Sequence, residues 1–258
     1  PGIVRLGLSQ AAIGSSVMLA TSLLNRVMVV EYALPAALPA GLVAWHYMVQ
    51  MSRPVWGHGS DRGGRRSPWI VLGMAVLALG VISATVAVGL MAAHSPWGLA
   101  LAIGAFSAIG GGVGAAGTSL LALLAARVAP ARRAAAASIT WIMMIAGIVI
   151  TAGVTGALID PYSLPRLMRV VSGAAGLAFL IAMIGLVGQE GRGSAALDGP
   201  ARPHMAFGPA LRAMMADDEA RRFTLFIFMS MFAYSMQELI LEPFAGLLFG
   251  YTPGQSTQ

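Results

Sequence analysis

A chain of 258 residues that is 57% hydrophobic and only 10% charged, with a mean hydropathy of +0.78, lies far from the roughly 25% charged of a water-soluble domain. All 16 basic residues are arginine, and the net charge of +6 is read by position, because loop arginines orient a membrane protein; no nucleic-acid partner is indicated. With no cysteine, disulfides, Cys-based zinc sites and thiol catalysis are excluded.

Seven apolar segments approach or exceed the roughly 20 residues that a bilayer core about 30 Å thick asks of a spanning helix: 8–31, 36–56, 69–92, 97–126, 137–159, 168–188 and 223–250. The expectation is an all-α integral membrane protein crossing the bilayer seven times. Turn signals punctuate the spans at 57–61, 93–96, 129–133 and 160–163. With the N-terminus placed in the cytoplasm, thirteen arginines gather on one side, Arg166 and Arg169 fall on the other, and Arg26 lies within the first span. That split orients the N-terminus inside. The opening at Pro1, without initiator methionine or basic-then-apolar leader, reads as a processed or trimmed product.

The connection after the second span carries Gly57-x-x-x-Asp61-Arg62-x-Gly64-Arg65-Arg66. Gly57 is expected to allow a tight exit from the helix and Asp61 to accept bonds from an arginine or a helix N-terminus. Arg62, Arg65 and Arg66 either lock this face by reversible ion pairs or serve only as topology anchors. The motif resembles the signature of the major facilitator superfamily, which implies a facilitator-like bundle.

In the fourth span five glycines between Phe106 and Gly117 suit close helix approach and bending, and Gly147, Gly153 and Gly156 act similarly in the fifth. The polar interruption 189–222 reads as a cytoplasmic linker. Within it Phe207, Leu211, Met214 and Met215 recur at helical spacing, so a short amphipathic helix is expected, with a plain linker as the alternative. Asp217, Asp218 and Glu219 stand where acids cap the start of the seventh span.

The seventh span holds two carboxylates, Glu238 and Glu242, and an acid in hydrocarbon is costly enough to read as functional. Facilitator halves are parallel repeats, which makes helices one and seven equivalent partners beside a central cavity. Arg26 lies 18 residues past Leu8 and Glu242 lies 19 past Phe223, roughly 27 and 28 Å along their helices. Arg26 is therefore expected to pair with Glu242, or with Glu238 one turn deeper, as an outer gate or a permanent clamp. Glu31 falls close to the interface, where it is expected to be hydrated, and Pro243 favours a kink.

The run Ser235–Gly250 with the Tyr-Thr-Pro-Gly-Gln-Ser-Thr that follows, and Leu24-Asn25-Arg26-Val27-Met28-Val29-Val30-Glu31, resemble the corresponding stretches of the PucC family. These are facilitator-like membrane proteins of phototrophic bacteria tied to light-harvesting complex assembly and (bacterio)chlorophyll handling. The resemblance implies twelve helices, so 1–188 forms a six-helix half, 189–222 a linker, and 223–258 the first helix of a second half. It implies the bacterial inner (intracytoplasmic photosynthetic) membrane, (bacterio)chlorophyll as cofactor without free metal, and antenna polypeptides or a pigment-synthesis enzyme as partners. The function it implies is an assembly factor that binds or delivers (bacterio)chlorophyll to antenna polypeptides. The alternatives are a proton-coupled secondary transporter using Glu238 or Glu242, and an accessory subunit of a bacteriochlorophyll synthase.

Pigment chemistry needs an axial ligand for magnesium, and His46 is the one histidine in an expected span. Flanked by Trp45 and Tyr47, with Gln50 one turn along, it suits a chlorin covered by aromatics; the other reading is a histidine hydrogen-bonded within the bundle. No Ser-His-Asp set, phosphate loop, HExxH motif or paired zinc ligands argue for an enzyme.

Overall fold

The computed structural model describes residues 2–62, 65–190 and 207–250, a few of them, including Asp61, Arg62 and 235–243, by backbone alone. The first apolar stretch forms α1 (Gly2–Glu31), whose apolar window is more buried than that of any other candidate span among the described residues. Two π-turns, Leu19–Leu23 and Val27–Glu31, are built into it. There follow α2 (Ala37–Gln50), α3 (Arg53–Arg62), α4 (Ser67–Ala92) and α5 (Trp97–Arg127). A 3₁₀ turn at Pro130–Arg132 leads into α6 (Arg133–Ile159), then come α7 (Leu164–Leu186), α8 (Phe207–Ala216) and α9 (Asp218–Phe249). Among the described residues there is no strand. Among the described residues five helical stretches, α1, α4, α5, α6 with its leading turn, and α7, are long and apolar enough to cross a bilayer, so the chain is a multi-pass membrane protein.

The expected second span, 36–56, is not one helix. α2 ends at Gln50 after 14 residues, and the chain turns at Met51–Ser52, where both the Ser52 N–H and Oγ bond the Val49 carbonyl at 3.0 and 2.6 Å. Pro54 sits in the first turn of α3, where a missing N–H costs nothing. α3 then runs straight through the turn expected at 57–61. Gly57 is thus no helix exit but a packing position, where an added Cβ would meet Thr118 Cγ2 at 3.1 Å.

Helices α4 and α5 share the tightest seam. A Cβ on Gly112 would lie 2.7 Å from both Gly73 O and Leu77 N, and one on Gly73 would lie 2.5 Å from Ala116 N, so the two backbones touch directly. Gly111 and Gly117 face open space instead. α5 runs as one helix from Trp97 to Arg127, so the glycine run brings helices together. In the fifth span Gly147 packs against Ala11, whereas Gly153 meets no atom within 4 Å.

α1 packs against α6 and α7, α4 against α7, and α2 and α3 against α5. This leaves α6 and α7 on the flank, with Ile142, Val149, Ile150, Leu180 and Ile184 exposed. A bond of 2.8 Å from Thr151 Oγ1 to Ser15 Oγ ties α6 to α1. α9 opens as its acidic start suggests, with Asp217 Oδ1 accepting from the Glu219 and Ala220 N–H groups at 2.9 and 3.1 Å. It remains helical through Pro243 and packs on the Leu19–Glu31 part of α1.

Candidate functional site

Arg26 has no exposed surface, and its Nη1 donates to Glu31 Oε1 at 3.0 Å. Residues five apart sit on different faces of an α-helix, whose neighbours are three and four apart. The π-turn Val27–Glu31 closes i→i+5 hydrogen bonds and so stacks Glu31 over Arg26. Glu31 is therefore an ion-pair partner as well as a partly exposed residue near the helix end. Beyond it the Tyr162 hydroxyl donates to the Tyr32 hydroxyl at 2.9 Å. Burial, that hydrogen bond and the nearby Tyr32 and Glu31 push the Tyr162 phenol well above its ordinary value, so it stays protonated. The side chains of Glu238 and Glu242 lie outside the described residues; their helix is the one that passes Leu19–Glu31.

A second polar group crosses the α2–α3 junction. The Arg53 guanidinium, always a donor, bonds Gln50 Oε1. The Gln50 amide nitrogen must then be the donor to His46 Nε2 at 2.7 Å, which leaves the ring proton on Nδ1, 2.9 Å from the Val43 carbonyl. Each step fixes the next, so the imidazole tautomer follows from the arginine. His46 is wholly buried, and its backbone carbonyl would stand 2.5 Å from a Cβ on Gly110. Trp45 points away, giving its Nε1–H to Ser107 Oγ at 2.8 Å, while the Tyr47 ring tilts over the imidazole at 4.2 Å between centroids. With both ring nitrogens taken and no open face, this arrangement does not fit a chlorin magnesium.

The tie predicts a specific pattern. His46→Leu leaves the buried Gln50 amide without its acceptor and is expected to cost about 1–3 kcal/mol, and His46→Leu/Gln50→Leu is expected to cost more, because it also takes from Arg53 the acceptor of its guanidinium. Thermal unfolding in detergent of the two variants measures the difference.

At the arginine-rich end the main chain of the Gly57–Arg66 motif takes part directly. α4 has no side-chain cap of its own. Its exposed N–H groups are met from the far end of α7 by Glu190, whose Oε1 accepts from Arg66 N at 2.7 Å and Oε2 from Ser67 N at 2.8 Å. Glu190 thus holds the kind of bond expected of Asp61, whose side chain, with that of Arg62 and with Gly64, lies outside the described residues. Arg65 is exposed and contributes charge near Glu190. Arg5 of α1 closes the other side of α7, donating to the Ile184 carbonyl at 3.1 Å and to that of Val187, the favourable place for a cation at a helix C-terminus.

Partial burial raises the Glu190 carboxyl, but the two backbone bonds and the Arg65 charge outweigh it and hold the group below its ordinary 4.5. A depressed folded value means that the stabilisation is complete above the unfolded-chain value and is lost as pH falls through the folded one. Glu190→Gln is therefore expected to lower stability by about 1 kcal/mol near neutral pH. Melting temperatures of variant and parent should converge as the pH falls through the depressed folded value of Glu190.

Sequence reasoning did not assign Glu31, Glu190 or Arg53 these roles. Glu31 needed the π-turn, Glu190 acts across 124 positions, and Arg53 read only as a topology charge.

The sequence profile of the PUCC protein family matches residues 23–258. The chain is 51% identical over 258 residues to the "Bacteriochlorophyll synthase 44.5 kDa chain" of Rhodobacter capsulatus, covering 99% of this chain and 59% of that one. It is 30% identical over 265 residues to an "Uncharacterized protein in puhA-bchM intergenic region" of Rhodobacter capsulatus, covering 99% and 56%. To "Protein PucC" of the same organism it is 29% identical over 276 residues, covering 99% and 58%. It therefore spans a little under three fifths of the length of these relatives. On a match that takes in most of its length, the chain belongs to the PUCC protein family.

Proposed function

We propose that this protein handles bacteriochlorophyll inside the photosynthetic membrane of a bacterium, with its N-terminus cytoplasmic, and that it binds the pigment or delivers it to light-harvesting antenna polypeptides. The observation that carries this reading is the family match together with 51% identity to a chain named for bacteriochlorophyll synthase. The physical setting agrees with it. A pigment that is both made and used in the bilayer travels through hydrocarbon, and a helix bundle with broad apolar flanks on α6 and α7 can meet membrane partners there.

The name of the 51% relative favours a second reading, an accessory chain that takes the product as it leaves a bacteriochlorophyll synthase. Transport of a small solute rests on Glu238 and Glu242 alone. In either pigment reading the facilitator-like bundle, the twelve-helix parent and an outer gate formed by Arg26 with Glu242 or Glu238 remain proposals.

Affinity capture of the full-length protein from pigment-making cells in mild detergent tests the assignment. An antenna polypeptide recovered in stoichiometric amount supports delivery, and a synthase supports the accessory role. Recovery of neither overturns both.

A further inference from the structure

A groove of about 760 Å³ runs between α1, α6 and α7. α6 borders it from Met143 to Leu158 and α7 from Arg166 to Ile181, roughly 22 Å along each helix. Its floor is shallow because the helices approach closely there: a Cβ on Gly147 would stand 2.8 Å from the Ala11 carbonyl. Gly173, on the α7 wall, faces open space. Ile150, Val154, Leu158 and Leu177 line the groove while more than half exposed, so it is open along its side among the described residues.

The lining has no aromatic ring, no histidine and no carboxylate; its charges are Arg166 and Arg169, both near the start of α7. Each side chain leans toward that end: Arg166 Nη1 donates to the Pro161 carbonyl at 3.0 Å and Arg169 Nε to the Pro165 carbonyl at 3.4 Å. This is how arginines reach the level of lipid headgroups.

An aliphatic slot with two cations at one mouth selects its occupant. A chlorin would call for an axial ligand and aromatic cover, and the lining offers neither. At about 30 Å³ per water-sized group, the volume takes roughly 25 methylene-sized groups, more than one long acyl chain. We propose that the groove is a binding site for an anionic phospholipid of the surrounding bilayer. The phosphate lies at Arg166 and Arg169 by charge-assisted hydrogen bonds, and an acyl chain lies along Gly173 and Leu177. The site is separate from the pigment reading and stands or falls without it.

Native mass spectrometry of the protein released from nanodiscs of equal phosphatidylglycerol and phosphatidylcholine content tests the proposal. The parent is expected to retain one phosphatidylglycerol, about tenfold in preference to phosphatidylcholine, a discrimination of about 1.4 kcal/mol. Arg166→Gln/Arg169→Gln is expected to remove that preference. Gly173→Phe, which fills open space, is expected to lower retention of both lipids about fivefold or more, a loss of about 1 kcal/mol. Melting temperatures confirm that the variants are folded. Equal retention of the two lipids by the parent, or a preference that survives loss of both arginines, overturns the proposal. So does the recovery of pigment in place of lipid.

Discussion

Glu31→Gln is expected to lower stability by about 3 kcal/mol, at the low end of the roughly 3–5 kcal/mol for breaking a buried ion pair, because an amide keeps part of the hydrogen bond. The substitution deprives a guanidinium with no exposed surface of a carboxylate 3.0 Å away. The reverse change, Arg26→Met, leaves a carboxylate that is 23% exposed and able to hydrate, so it is expected to cost less. Arg26→Met/Glu31→Gln should recover most of the loss. Unfolding in mixed micelles, read as a double-mutant cycle, gives the coupling. If Glu242 also faces Arg26, as proposed, Glu31→Gln and Glu242→Gln will be non-additive, and Glu242→Gln alone will leave the fold largely intact while lowering antenna levels. Additive losses with unchanged antenna levels would remove the gate.

The second large effect lies at the α4–α5 seam, where neighbouring glycines should behave in opposite ways. Gly112→Ala places a methyl group 2.7 Å from backbone atoms of α4, which cannot yield as the tip of a side chain can. The expected cost is about 2 kcal/mol or more, even after the gain of up to about 1 kcal/mol from replacing a helical glycine. Gly111→Ala meets nothing within 4 Å and is expected to be neutral or slightly stabilising. Melting temperatures of the two variants under identical detergent conditions compare them directly; similar losses would show that the seam is not set by backbone contact at Gly112.

These sites also mark how far the chain could be read from its residues. The long spans were legible because twenty or more apolar residues in a row have few other folds open to them. The acidic start of α9 was legible because an N-cap is a local feature. The break at Met51–Ser52 was missed although Gln50, Ser52, Arg53 and Pro54 interrupt the apolar run there, since a proline within a span reads equally as a kink. The pairing of Arg26 with Glu31 was hidden because it depends on a π-turn that changes which residues share a face. His46 and Gln50 stand one turn apart and could be linked by spacing. Only the Arg53 bond, which fixes every donor in the series, shows that the ring is tied into the bundle. Likewise the glycine run announced close packing, but the sequence does not say that Gly112 touches backbone while Gly111 does not.

Family membership bears on the whole protein, whereas the polar ties, the seam and the groove are properties of this chain. The ties explain how a bundle carrying a buried arginine holds together in hydrocarbon. Within the proposed pigment role, the His46 geometry directs the search for a binding surface away from α2.

The absorption spectrum of the full-length protein, purified in mild detergent from cells making bacteriochlorophyll, tests the pigment assignment most directly. A near-infrared bacteriochlorin band that stays with the protein through gel filtration, in constant ratio to its 280 nm absorbance, is the expected result. A preparation that is folded and monodisperse but colourless would contradict it.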